Sequence, residues 1–160
     1  MKKVLYLHGL ESSNSCEKVQ FLERQCVALA PAIDYRRDDI EEFLFDIVES
    51  FHPDLIVGSS MGGYVGLMLA NYYGVNVIAF NPAIHSRSIE PKLDRLEAKH
   101  VNINVQPIIV LGLQDTVVDP KETVNLLDNS ELEVIYETYP YLGHRITIDV
   151  FVDIYNKYIK

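Results

Sequence analysis

The stretch "LIVGSSMGGYVGLMLA" (residues 55–70) decides the fold. Its first part, "LIVGS", is apolar on consecutive positions, as expected for a strand that is covered on both faces of a parallel sheet. The part that follows, residues 61–73, is apolar nearly all round and predicts the most buried helix of the chain. A buried strand that turns through glycines into a buried helix is typical of an α/β fold.

Strands and helices alternate on both sides of this stretch. Other β-rich apolar runs predict five more strands: "VLYLH" (4–8), "CVALA" (26–30), "VNVIAF" (75–80), "PIIVLGL" (107–113) and "LEVIYETY" (132–139). Helices are predicted over 15–25, with Ser15 as its cap, over 38–51, from Pro120 after an Asp119 cap, and over 148–159. The sequence therefore predicts one domain (1–160): a doubly wound, mostly parallel sheet of about six strands with helices on both faces.

Composition restricts the function classes. The net charge is −9, from 14 Lys and Arg against 23 Asp and Glu, which argues against nucleic acid or an anionic membrane surface as partner. The apolar run near the amino terminus is too short for a signal sequence. Cys16 and Cys26 form neither a disulfide framework nor a metal-ligand pattern. These features favour a cytoplasmic protein without a metal site, and they leave its oligomeric state open.

The segment 81–106 is the one irregular stretch. It is long and polar, and it follows the carboxyl end of a strand, where doubly wound sheets bind their ligands. Two interpretations are open: a small flap over a site, or a plain crossover helix at 92–99 with irregular ends, which we favour slightly.

Two adjacent serines, Ser59 and Ser60, occupy the turn between the decisive strand and helix. A nucleophile on a sharp strand-to-helix turn needs small residues two positions before and after it, because the turn brings those positions together. Ser60 has Gly58 and Gly62 there, whereas Ser59 has a valine and a methionine. A glycine-rich turn can also hold a phosphate, but no lysine follows these glycines and their spacing fits neither phosphate-binding fingerprint. Ser60 is therefore the candidate nucleophile.

A serine nucleophile needs a base and an orienting carboxylate, which follow it along such a chain in the order Asp, His. The loop "LGLQDTVVDP" (111–120) after the next-to-last strand offers two aspartates. Asp119 is followed by Pro120, with Glu122 three positions on, so helix capping accounts for it. We therefore favour Asp115, which has no capping duty.

Of the five histidines, only His144 lies in the loop after the last strand, "YPYLGHRIT" (139–147). His52 and His100 are expected at solvated helix ends, and His8 at a strand end. His85 lies in the irregular segment, where surface exposure is the favoured interpretation. His144 is therefore the candidate base.

The negative oxygen of a tetrahedral intermediate needs two backbone N–H donors. One is expected from Met61, directly after the nucleophile, and the other from Leu10 in the loop "HGLESSNS" (8–15). For Tyr64, a pocket position and burial in the core are equally favoured. The candidate residues for the pocket walls, apart from Leu10, are His8, Gly9, Tyr64, His85 and Tyr141.

Together these residues resemble a known superfamily. The blocks "LYLHGLESS" (5–13), "IVGSSMGGYVGLMLA" (56–70), "FNPAI" (80–84), "GLQDTVVD" (112–119) and "GHRI" (143–146) are similar, in this order, to those of α/β-hydrolases. The closer resemblance is to the small lidless bacterial branch, the YqiA-like esterases, and it spans essentially the whole chain.

The resemblance implies a Ser60–Asp115–His144 triad with the amides of Leu10 and Met61 as oxyanion donors. It implies hydrolysis of a small-molecule acyl ester without metal or cofactor, through an acyl-enzyme. The interval between "FNPAI" and "GLQD" is shorter than this branch leads us to expect, which leaves acyl-chain preference open. Ester and thioester substrates are not separated by the sequence. The alternative is a binding or regulatory protein that keeps the scaffold without meaningful catalysis.

Overall fold

The computed structural model describes residues 1–100, 102 and 104–160. Six strands form one parallel sheet in the order β2-β1-β3-β4-β5-β6, which confirms the predicted fold class. The strands are β1 (Lys3–Leu7), β2 (Val27–Leu29), β3 (Leu55–Ser59), β4 (Asn76–Phe80), β5 (Ile108–Gly112) and β6 (Ile135–Tyr139).

Helices cover both faces of this sheet. They are α1 (Glu17–Gln25), α2 (Ile40–Phe51), α3 (Met61–Tyr73), α4 (Asp94–Glu97), α5 (Pro120–Asp128) and α6 (Ile148–Tyr158). One apolar cluster joins α2 and α3 to the sheet through residues such as Leu44 and Leu69, and a second joins α1 and α6 to the other face through Leu22 and Phe151. Burial of these two faces supplies the main favourable free energy of the fold. Within the described part of the chain, no helix is long and apolar enough to cross a membrane.

Helix α1 begins later than the sequence predicts. Its cap is Cys16 rather than Ser15, because the carbonyl of Cys16 accepts the first helical hydrogen bond, from the amide of Gln20 at 3.1 Å. The Ser15 hydroxyl instead lies 3.4 Å from that of Ser13, within the turn that precedes the helix.

In the described part of the irregular segment 81–106, the α-helix is the single turn α4, so the helix predicted over 92–99 is too long. Tertiary contacts fix this part of the chain. The buried carboxylate of Glu41, on α2, accepts hydrogen bonds from the amides of Arg95 (3.2 Å) and Leu96 (3.0 Å), which lie in α4. Positions 101 and 103 of the segment lie outside the described residues.

The sheet brings several loops to its carboxyl edge. Because all strands are parallel, the segments that follow β1, β3, β5 and β6 leave the sheet at the same end. The register places the end of β1 beside Gly58 of β3, and Gly112 of β5 beside Tyr139 of β6. The candidate residues of all four loops therefore start from one edge of the molecule.

Candidate active site

Ser60 occupies a sharp turn between β3 and α3. Its backbone adopts φ 54° and ψ −114°, a conformation that is costly for a residue with a side chain, of order 1–3 kcal/mol. The residue sits at the N-cap position of α3, yet its side chain makes no capping hydrogen bond. The turn therefore holds a hydroxyl away from the helix and free for another partner.

The two flanking glycines make this turn sterically feasible. A Cβ built on Gly58 would lie 2.1 Å from the carbonyl oxygen of Gly62, and one built on Gly62 would lie 2.1 Å from the carbonyl oxygen of Leu7. Both obstacles are backbone atoms that cannot rotate away. Any side chain at either position would force β3, α3 or β1 apart, which is why the turn requires glycine there.

Three side chains from separate loops form a continuous hydrogen-bonded line. His144 Nε2 lies 2.9 Å from the hydroxyl oxygen of Ser60, and His144 Nδ1 lies 2.7 Å from a carboxylate oxygen of Asp115. The Asp115 side chain is fully buried, whereas that of His144 is 27% exposed. This geometry brings together one hydroxyl, one imidazole and one carboxylate in the order that acyl transfer requires.

Asp115 is held by its own loop. Its second carboxylate oxygen accepts hydrogen bonds from the amides of Val117 (2.8 Å) and Val118 (2.9 Å), so both oxygens have partners. Asp119 instead accepts from the amide of Lys121 at 2.8 Å and caps α5. The two aspartates of this loop thus have the separate roles that the sequence favours.

Two residues that line the space beside Ser60 have backbone amides without a protein partner among the described residues. Among the described residues, the amides of Leu10 and Met61 donate no hydrogen bond to the protein, and both residues line the same cavity as Ser60. A Cβ built on Gly9 would lie 3.6 Å from the Cβ of Ser60, so the loop after β1 approaches the turn closely. Met61 is also the first residue of α3, where the helix dipole favours a negative charge.

A cavity of about 910 Å³ opens over these groups. Besides the loops at the sheet edge, the start of α1 and residues of the segment 83–88 contribute to its walls. Its apolar walls are formed by Leu10, Met61, Val117, Val118 and Ile146. The volume lies within the range of small-molecule sites.

Two of the predicted wall residues are structural. His8 is buried: its Nε2 accepts a hydrogen bond from the amide of Ile33 at 3.0 Å, and its Nδ1 lies 2.7 Å from the carbonyl of Gly9. Tyr64 lies in the core cluster of α2 and α3, and its hydroxyl donates to Glu97. Neither lines the cavity, which corrects the pocket assignment of His8 and, of the two alternatives left open for Tyr64, supports burial in the core.

Of the other predicted wall residues, one lines the cavity, one is exposed, and His85 is neither: its side chain is only 11% exposed, against the surface position that the sequence favoured. Gly9 lines the cavity as expected. His85 does not: its ring lies 3.2 Å from the Glu122 carboxylate and 3.0 Å from the carbonyl of Asp119, at the start of α5. Tyr141 is 64% exposed and packs on Tyr139 rather than on the cavity. His85 and Tyr141 are therefore also corrected as pocket residues.

Asn81 is a residue of the site that sequence reasoning missed. It is buried, has φ 41°, and donates from its side-chain amide to the carbonyls of Gly143 (3.1 Å) and His144 (2.8 Å). Its side-chain oxygen accepts from the amide of Gly112 at 2.9 Å. A signal was present, since Asn81 is the first polar residue after β4 and precedes a proline, which disfavours a right-handed helical backbone there.

Solved structures share this fold at low sequence identity. A hydrolase of the α/β superfamily from Xanthomonas campestris matches with TM-score 0.67 and 16% identity, over 98% of this chain and 99% of that one. A lidless α/β serine hydrolase from the same organism matches with TM-score 0.66 and 18% identity, over 96% and 79%. A monoacylglycerol lipase from Paleococcus ferrophilus matches with TM-score 0.74 and 12% identity, over 97% and 93%. The chain therefore has the α/β-hydrolase fold.

Comparison of sequences gives a match to one protein family. No curated protein matches the chain. Residues 3–135, which include Ser60 and Asp115, match a family that is known only as uncharacterised. By that match, the chain is a member of the uncharacterised protein family UPF0227.

Proposed function

We propose that this protein is a serine hydrolase that cleaves short-chain carboxylic esters or thioesters through an acyl-enzyme on Ser60. The observation that carries the proposal is the hydrogen-bonded line Ser60–His144–Asp115, with distances of 2.9 and 2.7 Å. The strained turn that presents the hydroxyl supports it, because backbone strain of this kind is concentrated at functional sites.

In the first step the Ser60 hydroxyl oxygen attacks the carbonyl carbon of the ester. Asp115 accepts a hydrogen bond from His144 Nδ1–H, so the lone pair of Nε2 faces Ser60 and takes its proton. The imidazolium then donates this proton to the leaving alcohol or thiol as the tetrahedral intermediate collapses. The buried carboxylate stabilises the positive charge on the ring while it lasts.

The amides of Leu10 and Met61 are the donors that we assign to the oxyanion. Both are unpaired within the described residues, and both residues line the cavity that contains Ser60. In well-studied enzymes one such donor is worth about 3–4 kcal/mol of transition-state stabilisation. The second step repeats the sequence with water as nucleophile, and it releases the carboxylic acid and free Ser60.

The proposed substrate is a small-molecule ester. The apolar part of the cavity accepts a short acyl chain, and its open side leaves room for a varied alcohol or thiol. The fold is shared with a lipase and a lidless serine hydrolase, which supports ester chemistry by analogy of scaffold alone.

Covalent labelling tests the proposal directly. A fluorophosphonate probe is expected to modify the protein at Ser60, because only an activated serine displaces fluoride from phosphorus at a useful rate. Intact mass before and after labelling measures this, and heat-denatured protein is the control. A panel of p-nitrophenyl esters and matched thioesters of increasing acyl length then defines the substrate class. Absence of both labelling and turnover in folded protein would favour a binding or regulatory role instead.

Asn81 is expected to position the His144 loop rather than to take part in the reaction itself. Asn81→Gly, which tolerates the positive φ, removes the three hydrogen bonds that tie the His144 loop to the end of β5. We expect kcat for p-nitrophenyl butyrate to fall about 10²-fold with little change in KM, since small misplacement of a catalytic group has costs of this size.

The matched control is Asn129→Gly, which removes an amide that bonds only locally to Asn125 at the end of α5. It should leave kcat unaltered. A purely structural role for Asn81 predicts lower stability with normal kcat for the folded fraction, and that result would refute the positioning role.

A further inference from the structure

The cavity has a cationic end that the proposed chemistry does not use. Lys18, near the start of α1, and Arg145, directly after His144, both line the cavity that contains Ser60. Neither forms an ion pair or a side-chain hydrogen bond with any of the described residues. In a chain of net charge −9, two cations without a carboxylate partner at the same cavity are unexpected.

The other charged residues of the cavity wall are differently placed. Arg87 is paired with Glu90 at 3.0 Å and donates to the carbonyl of Ala83, so its position is fixed by the protein. Glu11 is paired with Arg36 at 3.2 Å.

Glu17, the remaining acid of the wall, is exposed and precedes Lys18 on α1. Successive helical side chains point about 100° apart, so Glu17 forms no ion pair with Lys18, although its negative charge raises the pKa of Lys18. Among the described residues, Lys18 and Arg145 are thus the cations of the wall that no carboxylate pairs.

The surroundings of Lys18 are unfavourable for its positive charge. Lys18 is half-buried, and this loss of hydration lowers its pKa from the ordinary value. The positive charge of nearby Arg145 acts in the same direction, whereas Cys16 and the carboxylate of Glu17 oppose the shift. Partial burial of an unpaired ammonium beside a second cation is unfavourable. An anion bound between the two side chains would remove both penalties.

We propose that Lys18 and Arg145 form a subsite for an anionic group of the substrate, so that the preferred esters carry a carboxylate or a phosphate. This inference rests on the proposed function and deepens it. The anion would lie at the α1 end of the cavity, near Tyr6 and Cys16, while the ester carbonyl lies at Ser60. Charge-assisted hydrogen bonds to both cations would hold it.

A matched pair of substrates tests this subsite. p-Nitrophenyl hemisuccinate and p-nitrophenyl butyrate have acyl chains of equal length and differ in a terminal carboxylate. We expect Lys18→Gln and Arg145→Gln each to lower the ratio of kcat/KM for hemisuccinate to that for butyrate about tenfold, or about 1.4 kcal/mol. Lys18→Arg should keep the ratio, and Arg24→Gln, on the exposed side of α1, should keep both rates.

Binding to the Ser60→Ala variant separates this inference from the hydrolase proposal. Calorimetric titration with succinate and with methyl phosphate should show binding that weakens when Lys18→Gln is added, and the stronger of the two identifies the anion. If neither ester is hydrolysed, the hydrolase proposal fails while these titrations still decide the subsite. The subsite is refuted if Lys18→Gln and Arg145→Gln leave the rate ratio unchanged, or if neither anion binds over the millimolar range.

Discussion

Ser60→Ala abolishes turnover of p-nitrophenyl butyrate while the protein stays folded: this is the expected result with the largest effect. Removal of the nucleophile from a serine hydrolase lowers kcat by about six orders of magnitude in a well-studied case. The substitution deletes one oxygen whose hydrogen bond within the described residues is with His144, at 2.9 Å, so we expect the fold to be unchanged. Initial rates, with circular dichroism on the same sample, measure both quantities.

The matched control is Ser59→Ala, one residue earlier in the same glycine-rich turn. Ser59 is the last residue of β3 and pairs with Phe80, and the residues two positions before and after it are Val57 and Met61 rather than glycines. It should retain most of the activity and all of the fluorophosphonate labelling. Loss of activity in Ser59→Ala, with Ser60→Ala active, would overturn the steric argument that assigns the nucleophile.

The order of strands and helices could be predicted from the sequence because the buried strands are runs of consecutive apolar residues. The strand predicted at 55–59 and the helix at 61–73 are found at those bounds, since a glycine-rich turn separates them and Gly74 ends the helix in a left-handed conformation. Parallel strands then send their loops to one edge. Hence a serine, an aspartate and a histidine far apart in sequence were expected to meet.

The side chains that line the cavity could not be predicted from the sequence in the same way. Which face of a loop a side chain occupies depends on contacts with distant residues, and a single sequence does not show these. His8 looked available at a strand end, yet the amide of Ile33, twenty-five positions later, holds its ring in the interior. Lys18 lines the cavity from α1, and Asn81 holds the His144 loop from the end of β4. The proline after Asn81 indicates an unusual backbone there, but it does not indicate contact with the His144 loop.

The contacts of Asp115 and Asp119 distinguish their roles. Asp115 has both oxygens occupied, one by the imidazole and one by two amides of its own loop, and its side chain has no exposure to solvent. Asp119 is exposed and interacts through its side chain with the first turn of α5. Asp115 and Asp119 lie four positions apart in the same loop. Replacing each by the isosteric asparagine distinguishes an effect on the orientation of His144 from an effect on the stability of α5.

Asp115→Asn is expected to lower kcat for p-nitrophenyl butyrate by about 10⁴-fold, the size of the effect when a triad carboxylate becomes an amide. The asparagine oxygen can still accept from Val117 and Val118, so its amide group faces His144. The ring then presents an unprotonated Nδ1 to that amide and places the Nε2 proton toward Ser60, where it cannot act as base. Asp119→Asn should keep nearly full activity, because asparagine caps helices as well as aspartate does. If Asp119→Asn were the inactive variant, with both proteins folded, the carboxylate of the site would have to be reassigned.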